Sequence, residues 1–189
     1  MEKRWISASS TSSPLKDVVE QFIPWDTLVT ALEDAGAEIP PKGFWVSTVS
    51  VMSHTDLHAG NVLICEGEPV LIDSDENRFS SVLRDPVVLL LSSWVHPRSP
   101  VIQSGWPTAQ DIEQTIGTPE FQKQSPSPAW YAEALGWIDN RQSSERELWA
   151  VILAYAARQS RFKNVREDER LREAVASLIR LSAQRLLEG

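Results

Sequence analysis

The chain has one cysteine, Cys65, in 189 residues. No intramolecular disulfide can form, which suits a reducing compartment, and the place of Cys65 in the apolar run Val62-Leu63-Ile64-Cys65 predicts a buried thiol. Long hydrophobic runs are also missing. The longest, residues 87–91, is far below the roughly 20 residues that cross a bilayer, and residues 1–14 lack the apolar centre of a signal peptide. The expectation is a soluble cytoplasmic protein with no membrane partner. Basic residues are short relative to acidic ones, 18 against 26, so the formal charge is −8 and the pI is near 4.9. A nucleic acid backbone would be repelled unless the cations were segregated, and nucleic acid is not an expected partner. Histidine is limited to His54, His58 and His96, which leaves few ligands for a multi-metal centre. There is no internal repeat.

At 21.2 kDa with 42% hydrophobic residues, the chain can build one substantial core. Residues 1–14, rich in serine and threonine, read as a flexible lead-in, and 15–189 as one domain. Val18, Phe22, Trp25, Val29 and Leu32 step at the helical period; Pro24 divides that pattern and Gly36 ends it. Residues 45–52 are β-branched and partly alternating, and read as one extended segment. Residues 76–83 are polar and read as irregular. Asp85 as N-cap and Pro86 in the first turn start a nearly continuous apolar helix to about Trp94, with His96 as an exposed cap. Short helical starts fall at Thr108 and Thr118. Longer helices are expected over 128–138, over 145–162 with a capping box from Ser143 or Ser144 to Glu147, and finally to Leu187. The eight tryptophans, several at helical spacing, read mainly as core. The fold class is mainly α with a small β-hairpin, an α+β protein.

That hairpin falls in residues 53–75, which hold two histidines, an asparagine and three aspartates. Runs 62–65 and 69–72 flank the turn-like Glu66-Gly67-Glu68. A hairpin brings its outer ends together, so Asp56 and Asn61 are expected near Asp73. Clustered carboxylates shed water at a cost unless a cation joins them, and this cluster is a candidate site for a hard cation.

His54-Thr55-Asp56-Leu57-His58-Ala59-Gly60-Asn61 resembles the H-x-D-L-H-x-x-N catalytic loop of the aminoglycoside phosphotransferase and choline kinase group, within the protein-kinase-like superfamily. Leu71-Ile72-Asp73-Ser74-Asp75 resembles that group's I-D-x-D/E element, and Asp85-Pro86 the D-P step opening its next helix. The resemblance implies the C-terminal lobe of a kinase-like fold, with ATP and Mg²⁺ as cofactors. It implies Asp56 as the catalytic residue that accepts or orients the acceptor hydroxyl, and Asn61 and Asp73 as the residues holding the nucleotide's Mg²⁺. Asp75 would be a further metal ligand or a structural partner. His54 would structure the catalytic loop, and no role follows for His58. The group also carries an aspartate three or four residues after the D-P step, where this chain has Val88 and Leu89; the usual tether of the loop is not evident.

An enzyme of this type places an ATP-gripping lobe before the catalytic loop. Here 53 residues precede His54, they hold no glycine-rich loop, and Lys16 and Lys42 lack V-A-x-K surroundings. The expectation is a fragment of a longer chain, or a domain without that lobe. Three functions follow. One is a phosphotransferase acting on a small-molecule or protein hydroxyl, its missing lobe supplied by a partner. Another is a degenerate kinase-like scaffold, a pseudokinase that recognises a partner protein through its tryptophan-rich helices. The third is a metal-dependent hydrolase in which His54, Asp56, His58, Asp73 and Asp75 form a bimetal cluster. Acceptor selectivity would lie after Trp94, and the net charge points to a cationic acceptor.

Overall fold

The structure, a computed structural model, describes residues 10–73 and 77–188. It is mainly helical with three two-stranded antiparallel sheets, the α+β class expected. The first strand, β1 (Thr11–Pro14), lies in the stretch expected as a flexible lead-in. It pairs with β2 (Trp45–Thr48), Thr11 opposite Thr48 and Pro14 opposite Trp45. A serine-rich segment has no core of its own, but here a distant strand supplies the missing ladder. Two short helices follow β1, α1 (Leu15–Val19) and α2 (Trp25–Ala35), divided at Pro24 and closed by Gly36 at a φ of 67°.

Residues 45–52 form two strands rather than one. β2 ends at Thr48, the Val49 N–H turns to Glu147 Oε1 at 3.1 Å, and β3 (Ser50–Ser53) carries the chain to the loop at His54. The hairpin is where the sequence puts it. β4 (Val62–Cys65) and β5 (Glu68–Leu71) pair around Glu66-Gly67, whose φ values of 54° and 87° are both positive, as a two-residue type I′ turn requires. β6 (Arg78–Ser81) then returns to pair with β3, in a stretch expected to be irregular. Neither face of the hairpin is covered: Ile64 is 69% exposed, and Leu63, Val70 and Leu71 are exposed with it. Cys65 is therefore exposed, not buried. Its apolar neighbours predicted a covered strand, but among the described residues the hairpin's side chains are left open.

The remaining helices are α3 (Arg84–Val95), α4 (Pro100–Gln103), α5 (Ala109–Thr115), α6 (Pro119–Gln124), α7 (Pro128–Asp139), α8 (Glu145–Gln159), α9 (Lys163–Glu167) and α10 (Glu169–Glu188). α8 is the centre. Every residue from Ala150 to Ala157 is buried, and α1, α2, α3, α10 and β2 pack around it; such a helix has no polar face to show. Trp94, Trp106, Phe121 and Tyr131 form an aromatic cluster with ring centroids 4.8 to 6.4 Å apart. These tryptophans are core, as expected, whereas Trp45 and Trp130 are exposed.

One carboxylate sits inside this apolar body. Glu147 is 0% exposed. Ser144 caps α8 by accepting the Glu147 N–H at 3.1 Å, but the Glu147 carboxylate does not complete the expected box on the Ser144 backbone. Its Oε2 accepts from the Ser143 hydroxyl at 2.6 Å, and its Oε1 from the Ser81 hydroxyl at 2.7 Å and from Val49 N–H. The side chain thus joins α8 to β6 and to the junction of β2 and β3, the elements that enter and leave the loop at His54.

Candidate active site

The loop over residues 54–61 has only one 3₁₀ turn of its own, Ala59–Asn61, so its shape depends on what holds its backbone. Asp85 supplies two bonds. Its Oδ2 accepts the His54 N–H at 2.8 Å and its Oδ1 the Thr55 N–H at 3.0 Å. Arg84 takes the other side, Nε donating to the Thr55 carbonyl at 3.1 Å. Two consecutive residues of α3 therefore grip Thr55 from both sides. Its φ is 73°, a left-handed conformation that a β-branched residue adopts at a cost on the order of 1–3 kcal/mol. The tether sought at Val88 and Leu89 is present in Asp85, one turn earlier. Asp85 is not the N-cap of α3 either; that position is Leu83, without a side-chain bond.

His54 is buried, and its Nε2–H donates to the Ile72 carbonyl at 2.8 Å, which joins the loop to the exit of the hairpin. His58 Nδ1 accepts the Gly60 N–H at 3.0 Å; a Cβ at residue 60 would lie 2.9 Å from that ring, so a larger residue there would push the imidazole out of place. Asn61 Nδ2 donates to the Asp56 carbonyl at 3.1 Å, and the Ile72 N–H donates to the Asn61 carbonyl at 3.0 Å. With Val62 opposite Leu71, the register sets Asn61 and Asp73 at the same end of the hairpin. Asp73 is exposed, at a φ of 59°. Asp75 lies outside the described residues.

Asp56 meets one guanidinium and one imidazole. Arg158 Nη1, from the last turn of α8, donates to Asp56 Oδ1 at 3.3 Å, and His58 Nε2 stands 3.8 Å from Oδ2. The His58 ring stacks on His96, centroids 4.8 Å apart and planes 25° from parallel. Asp56 and Arg158 border two hollows. One, of about 490 Å³, is lined by Phe22, His54, Thr55, Asp73, Arg78 and Arg84 besides these two; the other, of about 310 Å³, includes His58, His96 and Asn164.

No family model matches this chain, and neither does any curated protein or solved structure. The chemistry of the site rests on its own geometry. Among the described residues, three guanidinium groups and two carboxylates line the larger cleft. The local balance is opposite in sign to the net −8 of the chain, and the cationic acceptor inferred from that net charge has no support here. Arg84 is 2% exposed and lies 4.3 Å over the Phe22 ring. Burial, and then the nearby charges of Arg78 and Arg158, lower its pKa to about 10. These three arginines had no place in the reading from motifs. Arg84 directly precedes the D-P step and Arg158 directly follows the apolar run 150–157, signals visible only after the partners are known.

The described residues contain no group of three His, Cys, Asp or Glu side chains placed to hold a metal. His54 Nε2 and His58 Nδ1 are both committed to backbone partners, so the bimetal cluster read from the sequence finds no support among them.

His96 has its pKa lowered, first by burial and then by His58 and Arg98. The neutral ring is favoured in the folded protein, so just below the ordinary histidine value of about 6.5 the unfolded chain binds more protons. Stability contributed here is complete above that value and falls as pH drops toward the lowered one. His96→Gln is expected to flatten this part of the pH dependence, read as urea midpoints over a pH series; an unchanged slope would assign the effect elsewhere.

Proposed function

We propose that this chain is the C-terminal-lobe part of an ATP- and Mg²⁺-dependent phosphotransferase of the aminoglycoside phosphotransferase and choline kinase type, passing the γ-phosphate to a hydroxyl acceptor. The observation that carries this reading is the clamped loop. Asp85 and Arg84 hold Thr55 so that Asp56 lines the cleft, and the hairpin adds Asp73 to the same cleft, its register setting the buried Asn61 at the same end.

Asn61 and Asp73 suit Mg²⁺. The Asn61 amide nitrogen is committed to the Asp56 carbonyl, which leaves the amide oxygen as the ligand atom, and the Asp73 carboxylate is exposed. One or two protein oxygens, completed by phosphate and water, are what this ion ordinarily takes. When bound, the ion offsets the charge of the phosphate groups. Arg158 occupies Asp56 Oδ1, so Oδ2 is the oxygen that accepts the proton of the acceptor hydroxyl. The acceptor oxygen bonds to the γ-phosphorus as the bridging P–O bond breaks and ADP leaves.

A second use of the domain, recognition of a partner protein, is favoured by the hairpin. Leu63, Ile64, Val70, Leu71 and Ile72 are all exposed, an apolar surface of the kind that a nucleotide-gripping lobe or another protein would cover.

A thermal-shift titration with Mg²⁺ and ATP, on the wild-type chain and on Asp73→Asn, separates the two uses. Phosphotransfer predicts stabilisation that needs both ligands and vanishes in the variant; nucleotide at a hundredfold its Kd adds about 2.7 kcal/mol. No response from either protein would leave the partner-binding use.

A further inference from the structure

Two of the arginines in the cleft are held in an unusual way. Arg78 Nη2 and Arg84 Nη1 both donate to one neutral acceptor, the Gln21 carbonyl, the first at 3.4 Å. Neither forms an ion pair with a carboxylate among the described residues. Of the acids around the cleft two are committed, and the third, Asp73, is exposed on the cleft wall and forms no ion pair with either arginine. Asp85 accepts the His54 and Thr55 N–H groups, and Asp56 is paired with Arg158. Two like charges side by side on a single carbonyl, one of them almost fully buried, repel each other, and the repulsion grows as water is excluded. Burying Arg84 against Phe22 while leaving it without a counter-charge makes sense if the counter-charge arrives with a ligand. Arg158 borders the same cleft, so three forked donors converge on one space of about 490 Å³.

We propose that Arg78, Arg84 and Arg158 form an oxyanion site that grips phosphoryl oxygens directly, without a metal ion. Planar guanidinium groups match phosphate geometry, and charge-assisted bonds of this kind are the strong ones. The phosphoryl group can come from the polyphosphate chain of a nucleotide or from a phosphorylated acceptor. The inference extends the phosphotransferase reading of this cleft, and the two fail separately.

The test is calorimetric titration of the full chain, in the presence of EDTA, with inorganic tripolyphosphate and separately with inorganic phosphate. Metal-independent binding that weakens with added salt is expected. Arg78→Ala is expected to weaken it by about tenfold or more while leaving the urea midpoint unchanged, since Arg78 is exposed. Arg158→Ala is expected to weaken it as well. Binding of tripolyphosphate alone assigns the site to a nucleotide chain, and equal binding of inorganic phosphate assigns it to a single phosphoryl group. No binding of either anion, or the same affinity in wild type and Arg78→Ala, overturns the proposal. In that case a response to Mg²⁺ and ATP abolished by Asp73→Asn would still stand for the phosphotransferase reading. Anion binding without that response would do the reverse.

Discussion

Asp85→Ala is expected to lower stability by about 3 kcal/mol and to abolish any response to Mg²⁺ and ATP. Two backbone N–H groups, those of His54 and Thr55, lose a charged acceptor, and bonds to charged groups contribute about 1.5–3 kcal/mol each. Part of that loss is offset because Thr55 is freed from its left-handed conformation. For a domain of this size the melting temperature should fall by about 6–12 °C. Asp85→Asn keeps one acceptor oxygen and should lose about half as much. Urea unfolding of the three proteins checks the ordering. An alanine variant with the wild-type midpoint would show that the loop is held by something other than Asp85. The functional loss follows from the same bonds: once Thr55 can relax, the Asp56 carboxylate two residues from His54 no longer has a fixed place on the cleft wall.

Glu147→Ala is expected to be the most damaging single substitution outside the apolar core, at about 3–5 kcal/mol. The carboxylate is fully buried and accepts from the Ser81 hydroxyl, the Ser143 hydroxyl and the Val49 N–H. Alanine leaves the buried Ser81 hydroxyl without its acceptor, removes the shared anchor of the part-buried Ser143 and Val49 donors, and opens a void beside α8. Glu147→Gln tests the charge alone. Shape and one acceptor oxygen survive, and serine hydroxyls can rotate to accept from the new amide, so the expected cost is only about 1–2 kcal/mol. Denaturant unfolding reads both. A loss below about 1 kcal/mol in the alanine variant would mean that the hydroxyls find other partners, and that Glu147 does not join α8 to the strands around the loop.

Features whose cause lies within a few residues are legible in the amino-acid sequence alone. The hairpin is one. Glu66-Gly67 between two apolar runs is a local instruction, because its positive φ values are set by turn chemistry, and closing it places Asn61 and Asp73 together whatever else the chain does. The division at Pro24, the stop at Gly36 and the start of α8 are equally local, although α8 ends at Gln159 rather than at the expected 162.

Other features depend on a partner far along the chain, and single-sequence reading missed them for that reason. Residues 11–14 are a strand only because β2 lies beside them, and residues 78–81 only because β3 does. Cys65 is exposed because, among the described residues, its hairpin is left uncovered. Asp85 turns from its own helix to the loop 30 residues earlier, and Arg158 reaches Asp56 across 102 residues. The sequence by itself determined the hairpin, the helices and the acids at the loop, since turn chemistry and periodicity act over a few residues. Only the tertiary structure decided which cations meet those acids and what holds the loop in place, because an ion pair or a backbone clamp exists only once separate segments have packed together.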